Sequence, residues 1–428
     1  MKSIISKFSI VVILCFDYYW IFGVVPFWLI CIFLTFLLGY FRNTQLIFSK
    51  SLLNETSTIS FTWLLFSIYV FGRKLISVSG FDAEYALNIL VVLSVLVAFQ
   101  IGYRMKTRTF IYLTGISVFI HGIFVIGQVL GQPWAWDFAS KIMTSKEVIT
   151  KTTSGIFNER YYKDAFDAYG RVKGTHVHIH IFSSIIGSLA IFFFLAISKR
   201  LVNFEKKWMN LLMFLIALLG LASLFLTFTR AIIIPAALIL ILYFFNPKSI
   251  VKNIPLLLVI GSLSLIGTIK LTQSIEFKSA NRLLEFGSSN NNADQVRFTT
   301  FRTSFKAISD APIFGGGIYD YHTPPHNIFL NLTVKFGFVG LFLYLLALGS
   351  LIHFLLRRIW IKGSKKYSTL VYLLGVVIFI NLFNAMFHTN TYLNKSIYQP
   401  MFTALIIGQI LREEHRLKQM QNRLNSSI

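Results

Sequence analysis

Long apolar runs separated by short basic segments set the pattern of this chain. A helix that crosses a bilayer needs roughly 20 apolar residues, with a range of about 17–25, and about twelve runs approach that length. The first two, Ile10–Phe22 and Val24–Tyr40, are cramped and meet near Gly23, with Pro26 early in the second. Ile59–Phe71, Ala83–Tyr103 and Thr109–Leu130 follow. After a long polar stretch come Ile179–Ser198, Trp208–Phe228, Ala231–Phe245 and Ile254–Leu271. After a second come Ile328–Leu356, Tyr367–Phe387 and Ser396–Leu411. The pattern predicts an all-α polytopic membrane protein of about 12 transmembrane helices. It reads as a single integral membrane domain over residues 1–428, with long loops at 131–178 and 272–326. The second loop is expected to hold short helices, since the run around Arg297–Lys306 is basic and amphipathic. No internal repeat and no separate soluble domain is visible.

Composition agrees. The chain is 55% hydrophobic and 13% charged, whereas soluble domains carry about 25% charged residues. The formal net charge of +23, from 40 Lys and Arg against 17 Asp and Glu, invites a nucleic-acid partner. Its distribution removes that need. With the N-terminus in the cytoplasm, every short inside loop is basic, for example Arg104–Arg108 and Arg357–Lys366, as cytoplasmic loops of membrane proteins are. Both termini are then cytoplasmic and both long loops lie outside. The exceptions among short outside segments are Arg73, Lys74, Arg230 and Lys395. Cys15 and Cys31 sit in apolar runs and imply no disulfide framework. Lys2 and Lys7 precede an apolar run without a small-residue cleavage site, which reads as a retained first helix.

The candidate chemistry lies where the second loop meets the membrane. Asp310-Ala311-Pro312 and Gly315–Gly317 read as a turn, and Pro324-Pro325-His326-Asn327 opens the next apolar run. Asn327 is a helix cap by type and place. His326 is either an inert boundary residue or a base. Arg230 opposes the charge bias, so it is either a snorkelling anchor or an anion clamp, because guanidinium holds phosphate oxygens bidentately. Arg297, Arg302 and Arg171 are further outside arginines, with solvated surface as the plain alternative. His176, His178 and His180 alternate, but no acidic or cysteine neighbour completes a zinc set; they read as a polar lining at a helix mouth. There is no P-loop, G-x-S-x-G or H-E-x-x-H motif.

These residues resemble a family. Arg297 with Phe301, Ala307-Ile308, Pro312, Gly315, Gly317, His326-Asn327, Gly337 and Gly340 is similar to the shared region of bacterial O-antigen ligases and polymerases. Thr229-Arg230-Ala231 resembles their Ser/Thr-Arg-Gly/Ala step, and Arg171 to Gly174 with His178 resembles an earlier stretch that opens a membrane helix. Phe301 stands where the family often has tryptophan, and Ile179 where it often has asparagine. The resemblance runs over about 169–345. It implies a metal-independent, cofactor-free, inverting glycosyltransferase of the bacterial inner membrane, with its site facing the periplasm. The implied donor is an undecaprenyl-pyrophosphate-linked glycan. The acceptor is another lipid-linked glycan for a polymerase, or lipid A-core for a ligase. The implied roles are His326 as base, Arg230 and Arg297 on pyrophosphate, and Arg171, His178, Arg302 and Asn327 on substrate. A flippase and a chain-length regulator are the implied protein partners. The outer loops are of modest size and carry arginines, which favours polymerase over ligase. A flippase or transporter would need more charge within its helices than Asp17, Lys270 and Lys335 supply.

Overall fold

A computed structural model describes residues 2–16, 20–21, 25–26, 29–34, 50–77, 83–135, 172, 174–176, 179–227, 229–244, 292–316, 325, 327–361, 363–387 and 398–426. Among these residues the protein is helical, apart from a short antiparallel pairing of β1 (Trp20–Ile21) with β2 (Val25–Pro26). The helices are α1 (Lys2–Cys15), α2 (Lys50–Ser77), α3 (Ala83–Arg104), α4 (Thr107–Val129), α5 (Ile179–Ser198), α6 (Lys207–Phe225), α7 (Arg230–Phe244), α8 (Asn292–Asp310), α9 (Ile328–Ile359), α10 (Lys365–Phe387) and α11 (Tyr398–Ser426). Among the described residues, four helices are long and apolar enough to cross a membrane: α4, α6, α9 and α10. Shorter apolar stretches lie in α3, α5 and α7. The predicted span Ile254–Leu271 lies outside the described residues.

The core is built around α5. Its sequence is apolar on every side, and such a helix belongs inside a bundle. Ile185, Leu189, Ala190 and the run from Ile191 to Ala196 are fully buried. The Phe192 ring meets Phe110 of α4 at 5.8 Å and Phe402 of α11 at 5.1 Å, both edge to face. On α6 and α9, by contrast, Leu211, Leu215, Phe338 and Phe342 point outward. Lipid tails are as apolar as leucine, so close packing rather than water exclusion holds such helices together. The crossing of α3 with α11 achieves this with glycines. A Cβ on Gly102 would strike the Leu405 backbone, and one on Gly408 the backbone at Phe99 and Tyr103.

The predicted first span, Ile10–Phe22, needs correction: α1 stops at Cys15. A helix leaves its last carbonyls without intrahelical donors. Here other segments supply them. His121 Nε2 of α4 lies 3.0 Å from the Leu14 carbonyl, and the Thr175 hydroxyl donates to the Cys15 carbonyl at 2.8 Å. Hydropathy sees the apolar residues beyond Cys15 but not the partners that end the helix. In the other direction, α11 continues past the predicted Leu411 to Ser426. Its charged last turns are helical and solvated, which a search for apolar runs cannot detect.

Charge is sorted to one end of the bundle. Arg358 of α9, only 3% exposed, pairs with Glu55 of α2 at 2.8 Å and with Glu414 of α11 at 3.2 Å. Lys366 of α10 and Arg416 of α11 meet Glu413 at 2.9 and 3.2 Å. Thr107, at the start of α4, donates to Gln409 at 2.7 Å. Lys199, after α5, lies over the rings of Tyr372 and Tyr243 at 4.2 and 5.5 Å. Nearby, the hydrogen bond from Arg108 holds the exposed Glu205 carboxyl below the usual carboxylate range. Helices α2 and α9 run antiparallel from this end, with Thr62 beside Ser350 at 3.0 Å and Tyr69 beside Phe336. From Glu55 to Arg73, α2 climbs about 27 Å at 1.5 Å per residue, close to the ~30 Å of a hydrocarbon core.

Arg358→Leu should strand two carboxylates at their shared site. We expect a loss of about 3–5 kcal/mol, read as a lower thermal midpoint of the detergent-purified protein. Adding Glu55→Gln and Glu414→Gln should recover part of the loss; no recovery would mean that charge pairing is not what the cluster contributes.

Candidate functional site at the Gly337 helix break

The sequence predicts an unbroken helix from Ile328. The structure splits it. At Gly337 the backbone turns to φ 66°, ψ −171°, a region essentially reserved for glycine. The segment from Phe338 to Ile359 is about 32 Å long and can cross a bilayer without the first turns. Those first turns, Ile328–Phe336, therefore form a separate short helix at the end opposite the ion pairs. Lys335, which the sequence suggests as a charge within a membrane helix, belongs to this short helix and not to the crossing segment.

A break strips N–H and C=O groups of their helical partners, and in a membrane protein these must be bonded within the protein. The turn after α8 does this. The Phe338 N–H donates to Pro312 O at 2.8 Å, Val339 N–H to Ile313 O at 3.2 Å, and Gly316 N–H to Val334 O at 3.0 Å. The approach is so close that a Cβ on Gly337 would strike the Ile313 backbone. One on Gly315, itself at φ 74°, would meet the backbone of Lys335 and Gly337. The glycines that the sequence marks as a turn and the glycine of the next helix thus serve one contact. Helix α2 closes it from the side. The Tyr69 hydroxyl donates to the Phe336 carbonyl at 2.8 Å. Arg73 Nη2 donates to the Gly315 carbonyl at 3.1 Å, and its guanidinium carbon lies 5.8 Å from the centroid of the Phe314 ring.

The sequence-predicted residues that are described lie on α7, α8 and α9. Asn327 caps α9 as expected: its Oδ1 accepts from Leu330 N–H at 3.0 Å, and its Nδ2 donates to Met386 O, the far end of α10, at 3.1 Å. Arg230 is the first residue of α7 and is half-buried. Tyr243, near the other end of α7, receives Lys199 at the charged end. Arg230 is about 20 Å of helix away from it, toward the end that holds Asn327 and Gly337. Arg297 and Arg302 both lie on α8, which packs against α9. Five positions apart, they are rotated by about 140° around the helix axis. Arg302 is exposed. His326, Arg171, His178 and the side chain of Arg297 lie outside the described residues.

His176 has a local role. It is buried, its Nδ1 is 3.0 Å from the Thr175 hydroxyl, and its ring stacks on Phe182. Gln128 of α4 grips the same segment, accepting from Gly174 N–H at 2.9 Å and donating to Gly174 O at 2.8 Å. Among the described residues, no three His, Cys, Asp or Glu side chains converge.

Residues 214–345 match the family model described as O-antigen ligase. The matched stretch is similar to the O-antigen ligase family. The match supports membership of the O-antigen ligase/polymerase superfamily, and with it a glycan-transferring enzyme of O-antigen biosynthesis. No curated protein matches the chain. The matched stretch runs from within α6 into α9 and contains Arg230, Arg297, Arg302, His326, Asn327, Gly315 and Gly337. Tyr69, Arg73, Arg171 and His178 fall outside the matched residues. Sequence reasoning missed Tyr69 and Arg73 as part of this assembly. The available signal was Arg73 itself, an arginine on the side that positive charge avoids, with a tyrosine one turn before it on the same face.

Gly337→Ala should lower stability by about 1–3 kcal/mol through the forced backbone alone, with more from the collision with Ile313. Gly349→Ala, in the same helix with open space around it, should be neutral or stabilising by up to ~1 kcal/mol. Equal thermal midpoints for the two variants would refute the break as described.

Proposed function

We propose that the protein polymerises undecaprenyl-pyrophosphate-linked oligosaccharide repeats at the periplasmic face of the bacterial inner membrane. The observation that carries this reading is convergence toward one end of the bundle. The start of α7 with Arg230 and the start of α9 with Asn327 lie there, both away from the charged end, and α8 packs against α9. The charged end collects Lys199, Arg358, Lys366 and Arg416; by the positive-inside rule it is the cytoplasmic end, which makes the other periplasmic. Two helix N-termini carry partial positive charge. With Arg230, and with Arg297 from α8, they suit a pyrophosphate held at the membrane surface.

In this reading the acceptor hydroxyl oxygen attacks the anomeric carbon of the donor sugar. The carbon–oxygen bond to pyrophosphate breaks, and its electron pair leaves with undecaprenyl pyrophosphate. His326 takes the hydroxyl proton, since an imidazole titrating near ~6.5 is suited to that transfer at neutral pH. Arg230 and Arg297 neutralise charge that develops on the leaving oxygen, a role worth roughly 3–4 kcal/mol per donor in comparable sites. Attack opposite the leaving group inverts the anomeric configuration. Arg302, Arg171 and His178 would contact substrate at the rim, and no metal is required.

The description of the matched family favours a second reading, transfer to lipid A-core by a ligase. The acceptor separates them. Loss of a polymerase leaves lipopolysaccharide with a single repeat; loss of a ligase leaves none with O-chain.

Purified protein with a defined lipid-linked donor and chelator present should elongate the glycan. His326→Ala should abolish transfer while donor binding persists. Arg230→Lys should be severely impaired although charge is kept, because an ammonium cannot make the two-pronged contact. Arg302→Ala should be milder than Arg297→Ala. A chelator-sensitive enzyme that is dead as His178→Ala and active as His326→Ala would overturn the assignment.

A further inference from the structure

We infer that Tyr69 and Arg73 of α2, outside the matched residues 214–345, are positioning residues for the transfer reaction: they clamp the Gly315 turn onto the Gly337 break, at the end of the described turn from which the chain leads to His326. The inference rests on the proposed role of His326, and it adds residues that the matched domain does not contain.

Chain connectivity gives the argument its force. The segment from residue 317 to His326 leaves the turn at Gly316 and returns at the Asn327 cap. The turn end is held by backbone bonds to Val334, Phe338 and Val339, and the α9 end by Asn327 on Met386. Two carbonyls at the contact need further donors. Phe336 O is freed because Gly337 leaves the helix, and Gly315 O lies in the turn. Tyr69 and Arg73 supply those donors, at 2.8 and 3.1 Å. They are four positions apart on α2 and so lie on one face, one turn of helix apart.

The identity of the donors fits a clamp. Arg73 makes two different contacts, a hydrogen bond to Gly315 O and a cation–ring contact with Phe314, so it grips the turn from two directions. Its Nε is buried without a hydrogen-bond partner among the described residues. The body of the side chain is therefore sequestered at the contact, not spread into solvent as a snorkelling anchor would be. Further along α2, Glu55 on Arg358 and Thr62 beside Ser350 hold it against the crossing segment of α9. The clamp thus transmits the position of a rigid helix to the turn.

Two measurements test this. The first is amide hydrogen exchange of the detergent-purified protein over 311–316 and 336–339. Tyr69→Phe and Arg73→Ala should each speed exchange there at least tenfold, Arg73→Lys less, and Ile76→Ala, one turn away and largely exposed, not at all. The second is steady-state transfer from a defined undecaprenyl-pyrophosphate-linked donor. Tyr69→Phe and Arg73→Ala should lower kcat at least tenfold with donor KM changed less than about threefold, because a misplaced base impairs the chemical step more than donor binding. Arg73→Lys should restore part of kcat by restoring a donor. Unchanged exchange in both variants would overturn the clamp. Faster exchange with unaltered kcat would overturn its role in positioning. A wild-type protein that transfers no glycan would instead overturn the proposed function and the catalytic part of this inference with it, while exchange would still decide the clamp.

Discussion

Inside a bilayer there is no water to take up an unpaired backbone group, so every N–H and C=O must find its partner within the protein. That constraint governs two irregular places among the described residues. At the end of α1, Leu14 O and Cys15 O are met by His121 and Thr175. At Gly337, the groups released by the break are met by Pro312, Ile313, Gly316 and Tyr69. In each case another segment is drawn into the bundle because it brings the missing donor or acceptor.

The regular parts obey a different rule. Helices in lipid gain nothing from hiding apolar surface, so contact area and closeness decide which pairs hold. Gly102 and Gly408 let α3 and α11 touch backbone to backbone, and the phenylalanines around α5 fill the centre. Electrostatics then divides the bundle along its axis. The charged end is knitted by Arg358, Glu55, Lys366, Glu413 and Glu414 across four helices. The other end holds helix N-termini, glycines and arginines. The stretch from α6 to α9 that is similar to the O-antigen ligase family reaches that second end.

The positions of most helices were legible in the chain because hydropathy is a local property: α5 coincides with its predicted range, and α3, α4, α6, α7 and α10 differ by a few residues. The cap at Asn327 and the turn at Gly315 were legible for the same reason, since both depend on residue type at one place. Sorting of basic residues was legible because each loop carries its own charge. The early stop of α1, the break in α9 and the pairing of Tyr69 and Arg73 with the turn were not. The stop of α1 and the pairing of Tyr69 and Arg73 depend on partners more than a hundred residues away, and the break in α9 on the turn that precedes it as well; no run of neighbours encodes which partner arrives. The sequence alone determined that this chain forms a helical membrane bundle and which residue types stand at its helix ends. Only the tertiary structure decided which of those ends meet, because that choice is made by carbonyls and amides seeking partners across the bundle in a medium that offers no others.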